Sequence, residues 1–271
     1  MYRLGIVNFI NTAPLLIPFL QMGELDGWQI VEDNPANLNR MLKAGEIDAG
    51  LISSFSFGAN HQDYFVLDNY CISATGTVGS VLLFSRLPIY ELSSSRIILT
   101  RQSETSVNLL YIILEYFNGF RPTYIPGTFR DFEASAESDA YLAIGDEALM
   151  LRRNTEGLFS YDLASMWYET TSLPFVFAIW AVRKEAGLKE TPSIASLKKR
   201  LSASYHQGIR SLGDIAGMVC NRIPMPQGEC LSYLKGIEFD LSPLKIKGLT
   251  HFFRLLMQMG KIPSEPRIEK I

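Results

Sequence analysis

The sequence contains little cysteine and little histidine. Its three cysteines, Cys71, Cys220 and Cys230, are an odd number at spacings that match no metal-binding motif. The three histidines are equally scattered and form no cluster of ligands in the sequence. We therefore expect buried free thiols, no structural disulfide and a mechanism that uses no metal ion.

The sequence also lacks a large charge excess and any basic run. Its 25 Lys and Arg against 28 Asp and Glu leave a net charge of −3, so neither nucleic acid nor a membrane surface is an expected partner. In residues 1–16, Asn8 and Asn11 interrupt the apolar residues, which is typical of neither a signal peptide nor a membrane span. We expect a cytoplasmic globular protein with one large or two modest domains.

What the sequence does contain is an alternation of short apolar runs with amphipathic segments. Strands are predicted at 2–7, 28–32, 47–52, 76–86, 97–99, 121–125, 141–144 and 175–183, and helices near Pro14 and at 35–44, 107–117, 129–137, 147–153 and 162–170. After Lys184 the pattern is helical throughout. Strands that alternate with helices predict parallel sheets whose loops gather at the carboxyl ends of the strands.

The clearest candidate binding element is the turn between the strand at 97–99 and the next helix. Ser103, Thr105 and Ser106 lie at the start of that helix, where hydroxyls accept hydrogen bonds from otherwise unpaired N–H groups. One hydroxyl taken alone is explained as a helix cap. Three are more than a cap needs, so we interpret the turn as the seat of a carboxylate or phosphate.

Polar or flexible residues follow the other predicted strands at the same position. Asn11 is either a helix cap or a side chain directed into a cleft, Gly79 either approaches a ligand or forms a bulge, and Asp146 is more readily an N-cap than an acid or base. The remaining candidates at strand ends are Ser53, Ser54, Ser80 and Gly145. Together these residues predict a small-molecule pocket at the carboxyl edge of the strands.

Two long apolar strands, at 78–85 and 175–182, flank the middle of the chain once each. This layout predicts two hinged lobes with the ligand in the cleft between them. We place lobe 1 at residues 1–84 plus 181–271 and lobe 2 at residues 85–180.

Several segments together carry a family resemblance. They are NTAPL at 11–15, LNRML at 38–42, GEID at 45–48, ISS at 52–54, GSVLLFS at 79–85, LTRQSETS at 99–106, IGDEAL at 144–149 and LPFVFAIW at 173–180. In this order, over about residues 3–260, they resemble the chorismate dehydratase family. One departure is Phe9-Ile10, where the family more often has Tyr-Leu, so an aromatic hydroxyl is absent here.

The resemblance implies an α/β, two-lobed fold like that of type II periplasmic solute-binding proteins, each lobe a mixed sheet flanked by helices, joined by two hinge strands. It implies removal of water from chorismate to give 3-[(1-carboxyvinyl)oxy]benzoate, in the futalosine route to menaquinone, without a metal or organic cofactor. Asn11 and Ser80 are then the candidate catalytic residues. The candidate substrate-binding residues are Ser53, Ser54, Gly79, Ser103, Thr105, Ser106, Gly145, Asp146 and Phe175.

Within this hypothesis, Thr105 and Ser106 hold one carboxylate, Ser53 and Ser80 position the other carboxylate or the ring, and Asn11 orients the substrate or the departing hydroxyl. The proton acceptor is either the enolpyruvyl carboxylate of the substrate, which we favour, or Asp146. Two other functions stay open: a non-catalytic solute-binding or sensor protein, and the dihydroxynaphthoate synthase of the same route. The second relies on a histidine base in its cleft, and no histidine lies between Arg86 and Val176.

Overall fold

The computed structural model describes all 271 residues, apart from the side chain of Asp68. The strands are β1 (Tyr2–Ile6), β2 (Trp28–Glu32), β3 (Ala49–Ser53), β4 (Tyr64–Ala74), β5 (Val81–Ser85), β6 (Arg96–Leu99), β7 (Thr123–Pro126), β8 (Ala140–Ile144), β9 (Phe159–Asp162), β10 (Phe175–Arg183) and β11 (Glu238–Asp240). The helices are α1 (Ala13–Gln21), α2 (Pro35–Ala44), α3 (Ser54–Ala59), α4 (Glu104–Tyr111), α5 (Phe129–Ala134), α6 (Gly145–Asn154), α7 (Leu163–Thr171), α8 (Pro192–Arg210), α9 (Leu212–Val219), α10 (Gln227–Lys235) and α11 (Pro243–Gln258).

The strands form two mixed sheets. One has six strands in the order β11-β4-β10-β3-β1-β2, and the other has five in the order β7-β6-β8-β5-β9. In each sheet the strands of the predicted alternating units pair in parallel, as β1 does with β2 and β3, and β6 with β7 and β8. Antiparallel strands complete each sheet: β10 pairs with β3 and β4, and β5 pairs with β8 and β9. The predicted α/β class with two mixed sheets is confirmed.

The chain passes between the sheets twice, at residues 75–80 and 172–174. The strand predicted at 76–86 begins only at Val81, because the Asp162 carboxylate accepts hydrogen bonds from the N–H groups of Val78 and Gly79 ahead of it. Since β5 belongs to the five-stranded sheet and β10 to the six-stranded sheet, we propose that the lobes divide at these two crossings.

Local sequence signals account for the bounds of α2. Asn34 accepts a hydrogen bond from the N–H of Asn37, and Pro35 opens the helix with its φ already suited to it. Gly45 ends the helix in the left-handed region, at φ +73°. This helix therefore covers the predicted range, and it presents Leu38 and Leu42 to the core.

Aromatic packing joins the two sheets near the second crossing. Trp167 of α7 is fully buried and meets Phe175 of β10 and Phe252 of α11 edge to face, with ring centroids 5.3 and 6.4 Å apart. Such contacts add to the apolar area that these rings bury. The largest hydrophobic cluster accordingly contains residues of both sheets.

An Asp240→Asn substitution is expected to make the protein less sensitive to acid. The buried Lys245 ammonium donates a hydrogen bond to the Asp240 carboxylate, and its Nζ lies 2.8 Å from Glu238 Oε2. Although burial acts to raise it, the hydrogen bond and charge of Lys245 hold the pKa of Asp240 below its ordinary value. A carboxylate with a lowered pKa stabilises the folded state fully above its unfolded-state pKa of about 4. This stabilisation is lost as the pH falls through the pKa of Asp240 in the folded protein.

Urea unfolding from neutral to acidic pH measures this effect. The wild-type free energy of unfolding is expected to fall more steeply below about pH 4 than that of Asp240→Asn. Asp26→Asn, at an exposed turn residue, is the control and is expected to follow the wild type. Identical slopes for Asp240→Asn and the wild type would contradict the prediction.

Candidate active site

A cavity of about 670 Å³, a volume that includes solvent-open space at its mouth, lies between the two sheets. Its polar lining consists of Asn11, Thr12, Ser53, Ser80, Ser103 and Ser106. Its apolar lining includes Val7, Phe9, Leu51, Ile52, Ile72, Val78, Val81, Ile144 and Phe177. None of the described residues that line the cavity is Lys, Arg, His, Asp or Glu. An anionic ligand here would be bound by neutral hydrogen-bond donors.

Ser53 is held between α3, which it caps, and Asn39 of α2. Its Oγ accepts hydrogen bonds from Ser56 N at 3.2 Å and from Asn39 Nδ2 at 3.1 Å, while its own N–H donates to Asn39 Oδ1. Because the Oγ already accepts two bonds, the Ser53 hydroxyl proton is left to donate into the cavity. Asn39 is buried, and although it lies within one of the family segments, the sequence did not mark it as a site residue.

Ser103 and Ser106 form a second hydroxyl pair, at the start of α4. Ser103 Oγ accepts from Ser106 N at 3.1 Å, so Ser103 does cap its own helix, and it donates to Ser106 Oγ at 3.0 Å. The Ser106 hydroxyl proton is therefore directed elsewhere, and Ser106 lines the cavity. A spacing of three residues places both serines on one face of the helix.

The turn from β1 into α1 carries Asn11 to the cavity. Thr12 fixes this turn, because its Oγ1 donates to Val7 O at 2.7 Å and accepts from Phe9 N at 3.2 Å. The Ile10 N–H is held by Asp146 Oδ1, 3.1 Å away on α6. Asn11 Oδ1 is buried and has no hydrogen-bond partner among the described residues. An unpaired buried carbonyl oxygen is costly, so it favours a ligand that donates a hydrogen bond at this point.

Gly145 joins Ser80 to this turn. Its N–H donates to the backbone oxygen of Ser80 at 2.7 Å. Gly145 has φ +60°, and a Cβ at this position would lie 3.5 Å from the ring of Phe9. Main-chain geometry therefore brings Ser80, Gly145 and Phe9 together on one wall of the cavity.

The structure does not place five of the expected site residues in the cavity lining. Ser54 is fully buried, and its hydroxyl donates to Val176 O. Thr105 Oγ1 accepts from Phe55 N at 2.9 Å, so it links α4 to α3. Phe175 is buried in the aromatic contact with Trp167 and Phe252, and the residues of β10 that line the cavity are Phe177 and Ala178. Gly79 and Asp146 are the other two.

Asp146 and Asp162 are half-buried carboxylates that hold loops near the cavity. Burial raises the pKa of Asp146 above its ordinary value, against the lowering effects of the Ile10 N–H and of Arg222. Burial also raises the pKa of Asp162, although four N–H groups, those of Val78, Gly79, Ala164 and Ser165, donate to it. Asp162 therefore both caps α7 and fixes the first crossing. Its place at a predicted helix start indicates the cap but does not reveal the contact with the crossing.

No group of three or more His, Cys, Asp and Glu side chains among the described residues is arranged to hold a metal ion. Among the helices that the structure describes, none combines the length and hydropathy that a bilayer crossing requires.

The chain matches the family model described as menaquinone biosynthesis over residues 2–258. It belongs to this menaquinone biosynthesis family. A family relative, named chorismate dehydratase, from Thermus thermophilus is 31% identical, and the alignment covers 94% of this chain and 95% of the relative. The resemblance found in the sequence is thereby confirmed, and the protein is an enzyme of menaquinone biosynthesis.

Solved structures show the fold of this family member. A protein of Archaeoglobus fulgidus superposes with a TM-score of 0.76 at 17% identity, covering 96% of this chain and 98% of its own. The alkanesulfonate-binding protein SsuA of Xanthomonas axonopodis superposes with a TM-score of 0.71 at 16% identity, and the alignment covers 98% of this chain and 96% of SsuA. A Candida albicans protein described as having the generic periplasmic binding protein fold superposes with a TM-score of 0.64 at 12% identity. The alignment covers 100% of this chain and 97% of the Candida protein. The predicted periplasmic-binding-protein-like fold is confirmed.

Proposed function

We propose that the protein is a chorismate dehydratase, a hydro-lyase that converts chorismate to 3-[(1-carboxyvinyl)oxy]benzoate and water. The Thermus relative of that name supports the reaction. The observation in this chain that carries the proposal is the cavity itself, which is lined by the hydroxyls of Ser53, Ser80, Ser103 and Ser106 and by Asn11, whose Oδ1 has no hydrogen-bond partner among the described residues. Chorismate offers the complementary groups, since it has two carboxylates to accept hydrogen bonds and one hydroxyl to donate one.

The substrate supplies much of the driving force for this elimination. The hydrogen on the ring carbon that bears the enolpyruvyl ether is acidified through the conjugated double bond by the ring carboxylate. Its transfer to the enolpyruvyl carboxylate leaves an electron pair delocalised towards the ring carboxylate. The bond between the neighbouring ring carbon and its hydroxyl oxygen then breaks, and the departing hydroxide takes up the transferred proton to leave as water. Because the ring becomes aromatic, the enzyme has mainly to stabilise the charge that gathers in the transition state.

The cavity residues have distinct roles in this scheme. Ser106 and the start of α4 hold one carboxylate, and Ser53 holds the other carboxylate or the ring. Ser80 donates towards the charge that develops during the reaction, and Asn11 Oδ1 accepts from the substrate hydroxyl. Each hydrogen bond to a carboxylate contributes about 1.5–3 kcal/mol, which is sufficient for binding without a cationic side chain.

The proton acceptor in this proposal is the enolpyruvyl carboxylate of the substrate. Asp146 is the alternative, and the contacts argue against it, because its Oδ1 accepts from the Ile10 N–H and its side chain is not part of the cavity lining. An Asp146→Asn variant keeps an oxygen acceptor for Ile10 but cannot act as a base. We expect it to retain most of the wild-type turnover of chorismate. Complete loss of turnover, with unchanged thermal unfolding, would assign the base to Asp146.

Incubation of the purified protein with chorismate, with no metal or nucleotide added, tests the proposed function. We expect an aromatic product to appear, followed by its ultraviolet absorbance and identified by mass. The SsuA likeness favours one further candidate, a protein that binds an anionic solute without chemistry. Chorismate binding measured by calorimetry without product formation would establish that candidate, and absence of both binding and product would exclude chorismate as the ligand.

A further inference from the structure

Tyr233 reaches the wall of the cavity from the C-terminal helical region. It lies on α10, and its hydroxyl donates to Ser80 Oγ over 2.9 Å, although the two residues are 153 positions apart. The Tyr233 ring packs against Gly79, since a Cβ on that glycine would lie 3.4 Å from the ring. The ring therefore lies in van der Waals range of the residue that precedes Ser80.

The direction of this hydrogen bond follows from the available partners. Ser80 Oγ is the only acceptor within reach of the Tyr233 hydroxyl among the described residues. Burial raises the pKa of Tyr233 above its ordinary value, so the phenol stays protonated and remains a donor. With one lone pair of Ser80 Oγ occupied, the Ser80 proton is directed away from Tyr233 and into the cavity.

The main chain of Ser80 is fixed without any help from Tyr233. Its backbone oxygen accepts from Gly145 N at 2.7 Å, and the preceding N–H, that of Gly79, donates to Asp162 at 2.6 Å. Removal of the phenol hydroxyl therefore changes the hydrogen bonding of the Ser80 side chain and leaves its position in the chain unchanged.

We propose that Tyr233 is a positioning residue, which aims and polarises the Ser80 hydroxyl so that Ser80 donates to the charge that develops on the substrate. This inference rests on the proposed dehydration of chorismate. A donor that is itself a hydrogen-bond acceptor is a stronger donor, because bonds in a chain polarise one another. The benefit is greatest where negative charge is greatest, in the transition state, so Tyr233 is expected to act on kcat more than on KM.

The kinetic test combines Tyr233→Phe with Ser80→Ala in a double-mutant cycle. Tyr233→Phe is expected to lower kcat for chorismate about tenfold, the equivalent of one hydrogen bond, with KM changed less than about twofold. In the Ser80→Ala background the same substitution is expected to change kcat by less than about twofold, because the residue through which Tyr233 acts is gone. Equal losses in both backgrounds, or an unchanged kcat in Tyr233→Phe, would overturn the proposal.

A matched control separates this role from the loss of a buried hydroxyl in general. Tyr64 is also buried, its hydroxyl has no partner among the described residues, and it is not part of the cavity lining. Tyr64→Phe is expected to keep the wild-type kcat. If both Tyr→Phe variants lose turnover in proportion to a loss of thermal stability, the role of Tyr233 is structural and the proposal is wrong.

The contact itself is measured without substrate. In proton NMR spectra of the unliganded protein, the hydroxyl resonance of Tyr233 is identified by its loss in Tyr233→Phe, and it is expected to shift in Ser80→Ala. A resonance insensitive to Ser80→Ala overturns the inferred hydrogen bond whatever the substrate is. If the wild type does not turn over chorismate, the proposed function fails; if it does and the cycle is additive, only the role of Tyr233 fails.

Discussion

Asn11→Ala is expected to lower kcat for chorismate about 100-fold, which is typical for removal of one well-placed polar group from an active site. The Asn11 side-chain carbonyl oxygen is buried and has no hydrogen-bond partner among the described residues, whereas the cavity hydroxyls of Ser53 and Ser106 accept bonds from the protein and have protons to donate. Asn11 is thus the residue suited to receive the hydrogen of the substrate hydroxyl. Without it, the departing oxygen is no longer oriented for elimination.

Asn8→Ala is the matched control for this experiment. Asn8 lies three residues earlier in the same loop, but its amide binds Glu32 and Arg222 at the surface. We expect Asn8→Ala to keep nearly the wild-type kcat, with steady-state kinetics on both variants as the measurement. Near-normal turnover in Asn11→Ala would remove Asn11 from the mechanism.

Gly208→Ala is expected to destabilise the protein by about 3 kcal/mol, a large part of the stability of a domain of this size. Gly208 lies on α8 where this helix crosses α1, and a Cβ there would overlap the carbonyl oxygen of Pro14. Backbone atoms cannot rotate out of the way, so the two helices have to separate. Because α1 begins two residues after Asn11, a loss of catalytic activity is expected together with the loss of stability.

Gly213→Ala, in the next helix, is expected to stabilise the protein rather than destabilise it. Gly213 lies in α9, and no atom of the described residues is within 4 Å of the place that a Cβ on Gly213 would take, its own helix backbone and chain neighbours aside. Alanine is the better helix former, so this variant is expected to gain up to about 1 kcal/mol. Urea unfolding of both variants measures the difference. Equal stabilities of Gly208→Ala and the wild type would show that α1 and α8 can separate at little cost.

The predictable parts of this fold are those where local signals agree. The bounds of α2 and of β2 are the predicted ones, since a proline, a capping asparagine and a terminal glycine mark the helix, and an apolar run marks the strand. The strands β4, β9 and β11 were not predicted. Of these, β9 and β11 are edge strands of four and three residues, and segments that short carry too few side chains to show a periodicity.

The candidate site shows where a local pattern is insufficient. Hydroxyls at 103, 105 and 106 look equivalent in the sequence, but a helix turns by about 100° per residue. Ser103 and Ser106 therefore share a face towards the cavity, while Thr105 points to Phe55 of α3. Which of the three faces a ligand depends on what packs on each side of α4.

The sequence by itself determined the alternation of strands and helices, the family, and the strand ends at which the polar residues gather, because each of these is written in neighbouring residues. Only the tertiary structure decided which hydroxyls line the cavity and which of their protons are free to donate. Those properties depend on partners distant in the chain: Asn39 for Ser53, Gly145 and Tyr233 for Ser80, and Phe55 for Thr105. The hydrogen of a hydroxyl group rotates freely about the C–O bond, so the direction in which it donates is set only by the neighbouring donors and acceptors.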